Sequence, residues 1–236
     1  MVSTVIKNWD NQTWLSSNKY IKSLKSFLTH NVRLNSRSNI LDIGCGRGKI
    51  LGSLTSDLKL KTKPIGIDIV NHKDKDNRIK FMNIDAVDFF LKNDKKFNLI
   101  IIKQTIHLLN YTKIKRLLPL CKKSLKPDGR VLIFTLDSSK NELPTFKLMK
   151  ICLLKSLKRD KKIINLISRL YPQRKMKKFI FKVKIDKKKY LEMVQQRYIS
   201  ILLPLKKNEI LKGIQELKIK YKNKIYFKDK LDCIIL

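Results

Sequence analysis

The chain has 236 residues, 43% of them hydrophobic and 31% charged, with 7 Gly and 6 Pro. Such a composition fills a core and excludes a disordered tail, a collagenous repeat or a Gly/Ser linker. Lysine and arginine total 54 against 19 acidic residues, a net charge of +35 that would attract nucleic acid, an anionic membrane surface or an acidic protein.

The longest apolar stretches, such as Leu99-Ile-Ile-Ile, fall well short of the roughly 20 residues that a bilayer-spanning helix needs. The first 30 residues hold no apolar block fit for secretion, so the sequence predicts a cytoplasmic protein. Cys45, Cys121, Cys152 and Cys233 lie far apart with no CxxC pair and no His at ligand spacing, which predicts reduced thiols and no metal site.

In chain order, Asn18 to Asn31 places Tyr20, Ile21, Leu24, Phe27 and Leu28 on one helical face. Ser38-Asn-Ile-Leu-Asp-Ile then reads as a strand, the glycines from Gly44 as a turn, and Ile50 to Leu58 as a helix. Further short apolar runs at Pro64 to Val70, Ile79 to Ile84, Phe97 to Ile102 and Arg130 to Leu136 predict a parallel sheet in an α/β fold. Lys126-Pro-Asp-Gly is a turn that delivers the chain into the fifth strand. Beyond it, Glu142 to Ile167 reads as basic amphipathic helices and Phe179 to Ile185 as a strand. Tyr190 to Leu203 and Asn208 to Tyr221 read as helices, and Lys224 to Leu236 as a closing strand. These fit one domain with helical insertions: an N-terminal segment (1–37), a core (38–136), and cap helices with the last strands (137–236).

The positive charge is uneven. Residues 1–136 carry 26 basic and 10 acidic residues, whereas 147–190 carry 17 and 2. Lysine outnumbers arginine 44 to 10, although arginine is what phosphate and base recognition favours. A solvated basic surface and an anion-binding face both fit that pattern.

Asp42-Ile-Gly44-Cys-Gly46-Arg-Gly48 joins the first strand to its helix, and glycines there let the backbone pass close to a ligand. Lys49 occupies the position where a dinucleotide fingerprint needs its last Gly. Ile43 and Ile50 break the nucleotide P-loop pattern. Asp68 ends the second strand, where a carboxylate in such folds accepts hydrogen bonds from ribose, and Asp85 follows the third. An acidic trio at three neighbouring strand ends suits a cationic, ribose-bearing ligand without phosphates. Taken singly, each also fits a tight turn or a helix cap.

Leu41-Asp-Ile-Gly-Cys-Gly-Arg-Gly, Gly66-Ile-Asp-Ile, Asn83-Ile-Asp-Ala, Phe97-Asn-Leu-Ile-Ile-Ile and Leu125-Lys-Pro-Asp-Gly-Arg-Val-Leu-Ile follow one another over residues 38–136. This ordered set resembles the successive motifs of class I S-adenosylmethionine-dependent methyltransferases, in particular their small-molecule branch. The resemblance implies a Rossmann-like seven-stranded sheet of order 3-2-1-4-5-7-6, last strand antiparallel, with helical insertions forming a cap. It implies S-adenosyl-L-methionine as cofactor: Gly44, Cys45 and Gly46 beside its methionyl part, Asp42 ordering that loop and the amino group, Asp68 on the ribose. Asp85 would meet the adenine amino group, Ile84 and Ala86 would flank the ring, and Ile69 and Lys103 complete the set. Asn98 stands where the family often has Asp, at a structural position.

The nucleic-acid amino-methyltransferase motif after the fourth strand is absent, since the chain reads Lys103-Gln-Thr-Ile-His107. Small-molecule members often carry His at the position of His107, which is a candidate base or a packed wall residue. Trp9, Trp14 and Tyr20 would close the site as a lid or pack on the sheet. Tyr190, Arg197 and Tyr198 in the cap are candidates to meet a polar or anionic acceptor. The expectation is methyl transfer to a small anionic metabolite. The alternatives are an RNA or protein methyltransferase recruited through 147–190, and a cofactor-binding partner protein without turnover. Lysines on the cap's inner face would suit an anionic acceptor, and lysines on its outer face a membrane surface or RNA.

Overall fold

The computed structural model describes residues 13–236. Trp9 and its expected lid role lie outside them. A single turn of 3-10 helix at Trp14–Ser16 leads into α1 (Asn18–Asn31), whose first turn is capped by the Ser17 side chain accepting from the Tyr20 N–H. Then follow β1 (Ile40–Ile43), α2 (Lys49–Leu58), β2 (Ile65–Asp68), β3 (Lys80–Asn83), α3 (Ala86–Leu91), β4 (Phe97–Lys103), α4 (Tyr111–Lys123) and β5 (Leu125–Leu136). The chain continues through α5 (Lys147–Leu170), β6 (Lys175–Asp186), α6 (Lys187–Gln195) and α7 (Lys207–Lys220) to β7 (Lys224–Ile235).

The seven strands form one sheet of order β3-β2-β1-β4-β5-β7-β6. Strands β1 to β5 pair in parallel, and β7 runs antiparallel to both β5 and β6. The expected order and the antiparallel last strand are both present. The unbroken apolar run of β4 follows from its central place: Leu99 and Ile101 enter one core layer, Ile100 and Ile102 the other. Burying each such side chain contributes about 1.5–3 kcal/mol, which is why an interior strand loses the alternation of a half-exposed one. Among the described residues no helix is long and apolar enough to cross a membrane.

Three expected boundaries shift. The turn at Lys126-Pro-Asp-Gly is a bulge inside β5: Leu125 pairs with Phe97, and the next partners are Arg130 and Leu99. Gly129 is needed there, because a Cβ would lie 2.6 Å from the Phe97 carbonyl oxygen. The helix expected from Glu142 starts at Lys147, after Pro144, and runs unbroken for 24 residues. The helix expected over Tyr190 to Leu203 is α6, which ends at Gln195. Arg197 takes a left-handed conformation (φ 56°), its N–H donates to the Val194 carbonyl and the Tyr198 N–H to that of Met193. That pair of bonds is a Schellman stop.

Trp14 and Tyr20 adopt the packing alternative to a lid. Tyr20 is fully buried edge-on against Phe179 and Phe181 of β6, and Trp14 packs edge-on against Phe227 of β7. On α5, Met149, Leu153, Leu157, Ile163 and Ile167 face inward. Its Lys147, Lys150, Lys158, Lys161 and Lys162 are exposed, so these lysines lie on the solvent side of the helix, whereas Asp160 is buried with the apolar residues.

Candidate active site

The loop after β1 is bound to the end of β2. The N–H groups of Gly44 and Cys45 both donate to the Ile67 carbonyl, at 2.8 and 3.1 Å, and the Gly46 N–H donates to Asp68 Oδ2 at 2.9 Å. Gly44 (φ 73°) and Gly46 (φ 56°) adopt a conformation that costs an L-residue roughly 1–2 kcal/mol. They differ in surroundings. A Cβ on Gly44 would lie 2.2 Å from Thr105 Oγ1, whereas one on Gly46 would meet nothing within 4 Å. Gly44 thus lets the loop close on β4's end, and Gly46 presents bare backbone to open space. Cys45 is pressed below the loop toward Gly66, and burial pushes its thiol up, so it is a neutral packing group.

The three aspartates lie at or just past the carboxyl ends of adjacent strands, with Asp42 in register with Gly66 and Asp68 with Asn83, while Asp85 follows β3 as the N-cap of α3. Asp42 is buried, and burial pushes its carboxyl up to about 7, with Lys103 opposing the rise and Asp68 adding to it. Asp68 also accepts from the Val70 N–H through Oδ1 at 2.9 Å, and His72 Nε2 lies 3.8 Å from Oδ2. Asp85 caps α3 by accepting from the Val87 N–H and is ion-paired with Lys113. Burial works against that carboxylate, yet the Lys113 and Val87 bonds outweigh it and hold the group below the usual range. Beside them Ala86 is buried, Ile84 half-buried, and Ile69 70% exposed.

On the β4 side, Lys103 sets its ammonium 5.4 Å from the Tyr20 ring centroid, and its charge bears on both Asp42 and Asp229. The next residue, Gln104, is left-handed (φ 53°), with its N–H on the Phe134 carbonyl. Such a conformation in a side-chain-bearing residue is uncommon and turns the chain sharply at the strand's end. Gln104 lines a small cleft together with Trp14, Leu143, Tyr198, Ile199 and Asp229. Asp229 comes from β7 and accepts from Trp14 Nε1–H at 2.9 Å. Burial raises its carboxyl, opposed by the Trp14 bond and by Lys103.

The other candidates separate. Tyr198 walls the cleft. Tyr190 is wholly buried behind it, its hydroxyl bonded to the Pro144 carbonyl at 2.5 Å and to Tyr198 Oη at 3.0 Å. Arg197 donates through a guanidinium nitrogen to the Leu205 carbonyl at 2.6 Å. Core packing and helix termination therefore occupy these two. His107 lies in a 3-10 turn (Ile106–Leu108), where burial, reinforced by the Arg159 charge, pushes its imidazole down to about 4. Sequence reasoning overlooked Asp229. Its signal was present: Ile225, Phe227, Asp229 and Leu231 are the inward positions of β7, and a carboxylate among them breaks an apolar face.

A family model described as a methyltransferase domain matches residues 16–181. The chain belongs to that family. No curated protein matches it in sequence. Among solved structures it is similar to a proposed methyltransferase from an antibiotic biosynthesis pathway of Anabaena variabilis, with a TM-score of 0.63, 17% identity, and 90% of this chain and 95% of that one covered. It is also similar to S-adenosylmethionine-dependent methyltransferases from Thiobacillus denitrificans (TM-score 0.52, 16% identity, 91% and 89% covered) and Geobacter sulfurreducens (0.51, 16%, 92% and 90%), both in complex with S-adenosyl-L-homocysteine. This methyltransferase-domain chain therefore carries the class I sheet order over nearly its whole length. Its glycine loop and three aspartates lie at the carboxyl ends of β1 to β3, the end of an open α/β sheet at which ligands generally bind.

Proposed function

We propose that the chain transfers a methyl group from S-adenosyl-L-methionine to a small organic acceptor, and that the crevice over Gly46 holds the cofactor. The observation that carries this reading is the Gly46 N–H on Asp68 Oδ2, with open space where a Gly46 Cβ would stand. A carboxylate that already fixes the loop is positioned for ribose hydroxyls, and bare backbone leaves room for the methionyl chain beside Gly44, Cys45 and Gly46. Asp42, balanced by Lys103, would take the amino group, and Asp85 with Ile69, Ile84 and Ala86 the adenine. The cofactor supplies a methyl group already activated on sulfur. The protein's part is then to align the acceptor and exclude water, and few obligatory catalytic side chains follow.

An anionic acceptor draws no support from the cap. The α5 lysines are exposed and Arg197 is bonded to the Leu205 carbonyl, while among the described residues the charged group that lines the cleft is Asp229. The test is incubation with methyl-labelled cofactor and fractionated cell extract. Label in small molecules is expected. Label in RNA or protein would transfer the assignment to a macromolecular acceptor recruited by the outward lysine face, and no incorporation with any fraction would leave a cofactor-binding partner protein.

A further inference from the structure

The solvent side of α5 carries positive charge that the fold leaves unanswered. The buried residues of the helix divide between the two core layers, with Met149, Leu153 and Leu157 in one and Ile163 and Ile167 in the other. It is therefore anchored along its length, and its outer face is a fixed surface. Every lysine from Lys147 to Lys162 is exposed on that face, six in all. Among the described residues no carboxylate forms an ion pair with any of them. Glu216 accepts the Lys147 backbone N–H at the start of the helix, and Asp160, the acidic residue of α5 itself, is buried on the inner side.

Two aliphatic side chains sit within this basic face. Ile151 is 47% and Leu154 50% exposed. At about 3.6 residues per turn they fall between Lys150 and Lys161 on one side and Lys155 and Lys162 on the other. Their neighbours along the surface are thus charged heads on long flexible stems, and water covers both.

That composition selects among anionic partners. Phosphate recognition in nucleic acids favours the guanidinium fork, and unpaired bases need aromatic faces to stack on, whereas α5 contains no aromatic residue and its outer charges are mainly ammoniums. Lysine is also depleted from the centres of protein–protein interfaces. A bilayer with anionic headgroups uses every part of the face. Compact charges meet the headgroups, aliphatic side chains reach the acyl boundary, and lysine stems let each ammonium remain at headgroup level.

We propose that the outer face of α5 docks the protein on an anionic lipid bilayer, the helix lying in the plane of the headgroups with Ile151 and Leu154 entering below them. The main apolar stripe of α5 stays in the protein core, so the attachment is peripheral, reversible and weakened by salt. This docking is independent of methyl transfer and of the acceptor.

The test is flotation of the full chain with vesicles of phosphatidylcholine alone and of two parts phosphatidylcholine to one part phosphatidylserine, at physiological ionic strength. Partition to the mixed vesicles should be stronger by about tenfold or more. Lys158→Glu with Lys162→Glu should weaken it far more than the same charge change made outside α5, at the exposed Lys92→Glu with Lys95→Glu. Ile151→Ser with Leu154→Ser leaves the charge intact and should weaken partition by about tenfold, while binding of a uridine oligonucleotide stays unchanged. Absence of flotation, equal partition to both vesicles, equal loss in the two lysine pairs, or unaltered partition in the serine pair would overturn the proposal. Tighter binding of the oligonucleotide than of the mixed vesicles, lost in the Lys158 and Lys162 pair, would overturn it in favour of RNA. The vesicle comparison in the unsubstituted chain decides even if a variant fails to fold.

Discussion

Asp68 closes the loop that follows β1 from one strand away. Its Oδ2 accepts the Gly46 N–H at 2.9 Å while its Oδ1 accepts the Val70 N–H at 2.9 Å, so one carboxylate fixes two turns at once. The residue that would hold the ribose also holds the loop that would pass beside the methionyl chain.

Asp68→Ala removes both anchors. Hydrogen bonds to charged groups contribute about 1.5–3 kcal/mol, so affinity for S-adenosyl-L-homocysteine should fall by roughly ten- to 150-fold. Calorimetry measures it, and an unchanged dissociation constant rejects the assignment.

Asp42 makes binding depend on pH. Burial first, and Asp68 second, raise its carboxyl to about 7 against the opposing pull of Lys103, so below that pH the group is neutral. A ligand ammonium favours the ionised form. Affinity should therefore rise as pH increases through about 7, with a proton released on binding at the acid side. The same shift works oppositely on stability: unfolded Asp42 ionises at lower pH than folded Asp42, so its contribution to stability falls between about pH 4 and about pH 7. Asp42→Asn should flatten both profiles, and a pH-independent affinity in the unsubstituted chain would contradict the placement.

Gly44→Ala and Gly46→Ala separate folding from binding. Both strain a left-handed residue by about 1–2 kcal/mol, but only the first drives a methyl group into the Thr105 side chain. Gly44→Ala should lower the thermal midpoint markedly. Gly46→Ala should lower it slightly, yet weaken cofactor binding by filling the open space above the loop. Equal melting of the two variants would show that the crowding at Thr105 relaxes without cost.

His107 is neutral at pH 7, and with an imidazole pushed down to about 4 it is a weak base for a reaction at neutral pH. His107→Gln should retain most of the rate and the same pH profile. A loss of 100-fold or more, the range for a general base, would restore it as the proton acceptor.

Much of the fold was legible because its signals are local. The apolar runs of β1, β2, β4 and β5 and the glycines after Ile43 each act within a few residues of chain, and their succession points to a parallel sheet. What misled was also local information used alone. Nothing near Tyr190 says that its hydroxyl would meet the Pro144 carbonyl, 46 residues earlier in the chain. The spacing of Tyr190 to Leu203 suits a helix, yet the chain stops at Arg197, a residue that seldom takes the left-handed form. Lysines at 147–162 could have lined the cap or covered it, because a helix's polar face has no direction until its apolar face finds a core.

The sequence by itself determined the class of sheet, the glycine loop and the three aspartates at strand ends, because backbone permissiveness and buried-strand periodicity are written into consecutive residues. Only the tertiary structure decided that Asp229 and Trp14, 215 positions apart, meet across the end of the sheet in the lining of the cleft. Pairing β7 between β5 and β6 makes that meeting, and strand pairing at such separation is settled by the competition of whole surfaces for burial.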